Sequence, residues 1–222
     1  MRVLAIAAHA DDETLGCGGT LLRHGANGDE LFWLVVTSPY EPKWSAEMVA
    51  KRRKQAADVA TAYAIADACE LGFPDSRLDT VAIGDVIEAI DTAIADWRPE
   101  IVYVVHGGDV HTDHALVFTA TMSVLKAFRM RHLGVRRILA YETLSSTDAA
   151  VQDLRRSFLP TVFTDISDTI EAKLDILARY ESELQPEPGP RSLSSVRALA
   201  RSRGATIGVP FAEAFALVRE IE

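Results

Sequence analysis

The sequence predicts an α/β protein built on a doubly wound, mostly parallel sheet with helices on both faces. Short aliphatic runs recur along the chain at residues 3–7, 31–37, 101–105 and 138–141, as strands buried on both faces require. Stretches with helical spacing or helix-start residues separate them, the alternation expected of parallel strands joined by crossover helices. Clusters of histidine and aspartate follow two of the runs, where open α/β sheets gather their functional groups.

The elements follow in order. Residues 3–7 (Val-Leu-Ala-Ile-Ala) form the first strand, and the small residues of 14–22 suit a helix packed closely on the sheet. Residues 31–37 are the second strand, followed by the Pro39 to Pro42 loop with Tyr40 and Trp44. Ser45 is placed to cap a helix running to about Ala66. Residues 69–71 read as a short strand, 72–76 (Gly-Phe-Pro-Asp-Ser) as a turn, and 83–97 as a helix. The strand at 101–105 leads through Gly107 and Gly108 to a helix over 113–129, and strands follow at 138–141 and 161–164. A helix over 168–183 ends at the proline-rich segment 185–190, because proline lacks the amide donor and clashes with the preceding turn. Residues 194–203 predict a last helix, stopped by Gly204.

Composition narrows the function classes. A chain of 222 residues, 48% hydrophobic and 25% charged, can bury one sizeable core, so residues 1–222 are expected to form one domain. The formal net charge of −9 argues against nucleic-acid binding, which wants a basic surface. Two cysteines, Cys17 and Cys69, make no disulfide framework, and no signal segment precedes the first strand; a reducing cytoplasm is the expected compartment. No apolar run approaches the roughly 20 residues of a membrane helix, so no membrane insertion is expected. The number of subunits stays open, a homo-oligomer included.

The chemistry lies in two clusters. His9-Ala10-Asp11-Asp12-Glu13 ends the first strand and offers an imidazole and carboxylates enough for two metal ligands and a neighbouring base. His111-Thr112-Asp113-His114 follows the strand at 101–105 and supplies what the first cluster lacks. Two histidines and one carboxylate with a fourth position open to water is the pattern of a catalytic zinc site. Spacing alone leaves open which of Asp11 and Asp12 is the ligand. Asp113 is expected to hydrogen-bond His111 and favour its protonated form, with His111 left free to face a substrate. Cys17 among glycines reads as a small packing residue, and Asp109 and His106 as loop structure. A dinucleotide fingerprint fails because Leu21 stands where its third glycine would, and no Gly-x-Ser-x-Gly nucleophile elbow is present.

The paired motifs resemble those of the PIG-L/LmbE-like zinc-dependent N-acetylglucosaminyl deacetylases. Gly72-Phe73-Pro74-Asp75, Tyr141-Glu142-Thr143, Pro190-Arg191-Ser192 and Ala212-Glu213-Ala214-Phe215 fall where that family has similar segments, so the likeness spans nearly the whole chain. The resemblance implies a Rossmann-like fold and one zinc ion per chain, held by His9, Asp12 and His114 and replaceable by other divalent metals. It makes Asp11 the general base and places Arg52 and Asp75 on sugar hydroxyls, with Arg191 lining the sugar pocket or meeting an anionic substituent. The implied substrate is a small-molecule N-acetyl sugar conjugate, hydrolysed to acetate and a free amino sugar. Two departures stand out: Ala10 replaces the family's usual proline, which loosens the turn without removing a ligand, and Gln55 replaces an acid. By the same likeness the tail, residues 211–221, is an edge strand. A sugar-binding protein of the same fold without turnover is the alternative.

Overall fold

The computed structural model describes residues 1–222 except 152, 154 and 155. Seven strands form one sheet: β1 (Arg2–Ala7), β2 (Glu30–Ser38), β3 (Asp67–Pro74), β4 (Ile101–Val105), β5 (Arg137–Tyr141), β6 (Val162–Asp165) and β7 (Ala212–Glu220). Their order is β3-β2-β1-β4-β5-β7-β6. Strands β1 to β5 pair in parallel, and β7 is antiparallel to both β5 and β6. Successive side chains of a strand point to opposite faces, yet every residue of β1 from Val3 to Ala7 is fully buried, so both faces of the sheet are covered. The expected doubly wound architecture is the one observed.

Seven helices are described: α1 (Asp12–Ala26), α2 (Ala46–Ala62), α3 (Ile83–Trp97), α4 (Thr112–Val124), α5 (Ala127–Leu133), α6 (Ile170–Leu177) and α7 (Leu193–Ile207). Ser45 caps α2 as expected, its side chain accepting the Met48 N–H at 3.2 Å. Helix α1 packs so closely that a Cβ on Gly16 would stand 2.0 Å from the Tyr141 ring of β5. No described helix is long and apolar enough to cross a membrane.

Several boundaries differ from expectation, each for a tertiary reason. The helix expected over 113–129 is two helices: Leu125 leaves helical geometry with φ −90° and ψ 47°, and its carbonyl accepts from Arg219 Nη1 at 2.7 Å. The helix expected over 168–183 stops at Leu177, and the chain beyond turns Tyr180 inward to Glu13. Helix α7 runs past Gly204 to Ile207. Gly204 is a close approach, where a Cβ would lie 2.6 Å from the Val209 carbonyl oxygen, and the helix ends at Gly208 with φ 78°. Residues 72–74 belong to β3 rather than to a turn. The tail is a strand, but an internal one: β7 lies between β5 and β6, which is the edge.

Candidate active site

Strands β1 and β4 are neighbours whose crossovers leave in opposite directions, the position where doubly wound sheets form a crevice. Because the two are parallel, both histidine motifs emerge at the same sheet edge. They border a cavity of about 200 Å³ lined by His9, Asp11, Asp12, His111 and His114, with Arg52, Asp75 and Arg191 also on its walls.

The β1–α1 turn is tightly organised. The Asp12 carboxylate accepts the His9 backbone N–H at 2.8 Å, folding the turn back on itself. Asp11 occupies the N-cap position of α1 with φ 154° and ψ −25°, backbone angles rare outside glycine, and its side chain makes no capping bond. It accepts instead from Arg191 Nη1 at 2.9 Å. Burial and the like charge of Asp12 push the Asp11 carboxyl up to about 8, against the pull of Arg191.

His9 Nδ1, His114 Nε2 and the Asp12 carboxylate converge. The two ring nitrogens are 3.3 Å apart, Asp12 Oδ1 is 3.3 Å from His114 Nε2, and Asp12 Oδ2 is 3.6 Å from His9 Nδ1. Donors about 2.0–2.1 Å from a tetrahedral zinc stand roughly 3.3 Å apart, so the two ring nitrogens have the spacing of donors to one such ion, with one oxygen of the Asp12 carboxylate beside each ring. Burial opposes charge on both rings, yet the carboxylates prevail: Asp113 and Asp12 raise His9 to about 10, and Asp12 and Asp109 raise His114 to about 9. The carboxylates around the two rings therefore favour positive charge on them.

Among the described residues, two groups place one ligating atom from each member within 4.8 Å of one another: His9, His111 and His114, and His9, Asp75 and Asp113. The second is the poorer set, since Asp113 Oδ2 and Oδ1 already accept the Ser76 and Leu78 N–H groups at 2.7 and 3.2 Å. His111 is committed elsewhere. It is the N-cap of α4, and its Nδ1 accepts the Asp113 backbone N–H at 3.2 Å.

That cap overturns one expectation. The Asp113 carboxylate does not pair with His111; it lies 3.0 Å from His9 Nε2 and orients that ring. With Nδ1 used as an acceptor, His111 is a neutral imidazole with its proton on Nε2. Burial and the charges of His9 and His114 hold it down to about 4, outweighing Asp113 and Asp12.

Asp109, read from the sequence as loop structure, stands behind the other histidine. Its Oδ2 is 2.9 Å from His114 Nδ1 and also accepts from Thr143 Oγ1 and Thr147 Oγ1 at 3.1 and 3.0 Å. Each histidine that faces the convergence point thus has its second nitrogen on a buried carboxylate, the arrangement that fixes tautomer and orientation in metal sites. An acid five residues before a histidine at a helix start is the only local signal that could have found it.

Arg52 and Asp75 come together, with Arg52 Nη1 at 3.6 Å from Asp75 Oδ2. Trp44 organises both: its Nε1 donates to Asp75 Oδ2 at 3.2 Å and its ring lies 4.1 Å from the Arg52 guanidinium. Cys17 is fully buried and its thiol is pushed up by burial, as a packing residue should be.

The family described as PIG-L: GlcNAc-PI de-N-acetylase matches residues 4–125. The chain is 28% identical over 186 residues to an uncharacterized deacetylase, YaiS, of Escherichia coli, covering 81% of this chain and 90% of that one. It is 30% identical over 156 residues to a 1D-myo-inositol 2-acetamido-2-deoxy-alpha-D-glucopyranoside deacetylase of Rhodococcus jostii, covering 57% of this chain and 53% of that one. Among solved structures, an N,N'-diacetylchitobiose deacetylase from Pyrococcus horikoshii superposes with a TM-score of 0.78 at 20% identity, over 98% of this chain and 83% of that one.

Proposed function

This chain belongs to the PIG-L family, and from that premise we propose that it is a metal-dependent amidohydrolase that removes the N-acetyl group from an N-acetylglucosamine-type conjugate. The observation that carries the reading is the convergence of His9 Nδ1, Asp12 and His114 Nε2 beside Asp11 on the cavity wall. Two imidazoles and one carboxylate leave a position free, as a catalytic site requires and a structural one does not. Two of the relatives, the Rhodococcus jostii enzyme and the Pyrococcus horikoshii one, are named as deacetylases of an acetamido sugar and of N,N'-diacetylchitobiose.

In this reading His9, Asp12 and His114 hold one divalent ion, zinc by the nature of the donors. Such an ion supplies Lewis-acid polarisation of the amide and lowers the pKa of water. Asp11 takes a proton from the attacking water and returns it to the leaving nitrogen, so that water and amide become acetate and free amine. Its carboxylate is held in place by Arg191. His111 donates its Nε2 proton to the oxygen that gains charge during attack, a stabilisation present only in the transition state. Its Nδ1 cap keeps that proton on the outer nitrogen. Asp113 and Asp109 orient the two ligand histidines, and Arg52 with Asp75 bind sugar hydroxyls: a guanidinium donates and a carboxylate accepts, which suits a vicinal diol.

The test is release of free amine from a panel of N-acetylglucosamine conjugates by metal-loaded protein, with a chelator-treated control. Binding of the sugars without release would establish the alternative, a sugar-binding protein of the same fold.

A further inference from the structure

Glu183 lies between the two arginines of the pocket. Its Oε1 is 2.8 Å from Arg52 Nη2 and its Oε2 is 3.8 Å from Arg191 Nη1. It lies in the loop between α6 and α7, with Ser182 Oγ 3.1 Å from its Oε1 and 2.8 Å from Gln55 Oε1. Its side chain is only 21% exposed.

The consequence is that neither arginine offers an unmatched charge to a ligand. Arg52 already faces Asp75 and Glu183, and Arg191 already faces Asp11 and Glu183. Arg53 also borders the cavity, but it is exposed and its charge is screened by solvent. A phosphate entering between Arg52 and Arg191 would meet the Glu183 carboxylate at close range in a partly desolvated space, and would have to displace it to gain a partner. Uncharged hydroxyls meet no such obstacle. Each can donate to Glu183 and accept from a guanidinium, so an alcohol-rich ligand satisfies both without breaking the pair.

We propose that Glu183 is the specificity determinant of this pocket, restricting it to uncharged N-acetyl sugar conjugates and excluding those that carry a phosphate on the sugar. The inference rests on the deacetylase reading for its substrate class, but its geometry concerns binding and is separable from turnover.

The experiment compares methyl N-acetyl-β-glucosaminide with N-acetylglucosamine 1-phosphate and 6-phosphate, measuring kcat/KM and, by calorimetry, binding to metal-loaded wild type and Glu183→Gln. The wild type should favour the neutral glycoside by on the order of a hundredfold, the scale of a like-charge juxtaposition. Glu183→Gln should narrow that ratio at least about tenfold, mainly through a lower KM for the phosphorylated sugars. Glu183→Ala, which also removes the bridge, should narrow it in the same direction. A parallel fall on all substrates would make Glu183 a structural residue and overturn the proposal, as would a wild type that handles neutral and phosphorylated sugars alike. Selective binding of the neutral sugar without amine release would sink the deacetylase reading and leave the selectivity intact; release from all three at equal efficiency would do the reverse. Binding of none of them would remove both.

Discussion

The ammonium of Lys173 lies 2.7 Å from Glu213 Oε1, and the two residues together span a break in helix α1. Cys17 departs from helical geometry there, with φ −137° and ψ 15°. Lys173 donates to the Leu15 carbonyl at 2.9 Å, while Glu213 accepts the N–H groups of Gly19 and Thr20 at 2.8 and 2.7 Å. One side chain thus satisfies a carbonyl left over by the first part of the helix, and the other caps the second part. The pair thus joins the two parts of α1, the first of which carries Asp12 and Glu13.

Glu213→Ala should therefore destabilise the protein strongly. It strands a buried ammonium and uncaps two amides, a loss of about 3–5 kcal/mol for a broken buried pair. Thermal or denaturant unfolding measures it. A midpoint equal to that of the wild type would mean the break in α1 needs no support.

Replacing a metal ligand and replacing the base should separate cleanly. His9→Ala, Asp12→Ala and His114→Ala should each lose the ion, read by metal analysis after dialysis. Asp11→Asn should keep it and lose turnover by a hundredfold or more, the scale of a positioned general base. Loss of metal in Asp11→Asn with retention in Asp12→Asn would exchange the two assignments.

The two carboxylates behind the histidines should act on metal affinity. Asp109→Asn releases His114 and Asp113→Asn releases His9, and each should weaken binding by about 10–100-fold. Titration with a competing chelator gives the constants. An Asp113→Asn variant of unchanged affinity would return Asp113 to the role of loop anchor for Ser76 and Leu78.

Asp75→Ala should harm turnover of a whole sugar substrate by roughly 10–100-fold, the scale of a lost hydrogen bond to a charged group. A small N-acetyl amide lacking the hydroxyls should be affected far less. Equal losses on both would show that Asp75 acts only by holding Trp44 and Ser76.

Adding zinc to chelator-treated protein should raise the unfolding temperature, since an ion bound only by the folded state stabilises it by about 2.7 kcal/mol at one hundred times its dissociation constant. His114→Ala should show no such rise.

The strands and both histidine clusters were legible because their signals are local: aliphatic runs, and several polar residues in a row after a strand. Parallel pairing of β1 and β4 then brings His9 and His114 together without further information. What was not legible depends on distant segments meeting. The Asp113 carboxylate is claimed by backbone amides of Ser76 and Leu78, 37 and 35 residues away, and those contacts aim it at His9 rather than at the nearer His111. Arg191 reaches Asp11 across 180 residues, and the family-like segment around position 191 marks the arginine but not that partner. Helix ends moved for the same reason, as when Arg219 takes the Leu125 carbonyl.

The placement of β7 bears on how the chain can be made. Strand β6 pairs with β7 alone, and the outer edge of β5 is closed by the same strand. As the polypeptide leaves the ribosome, β1 to β5 can assemble while β5 still presents open amides and carbonyls, an edge prone to pairing with other chains. Only when residues 212–220 emerge does that exposure end. The same strand delivers Glu213 to the break in α1, so the second part of that helix is capped only once β7 is in place.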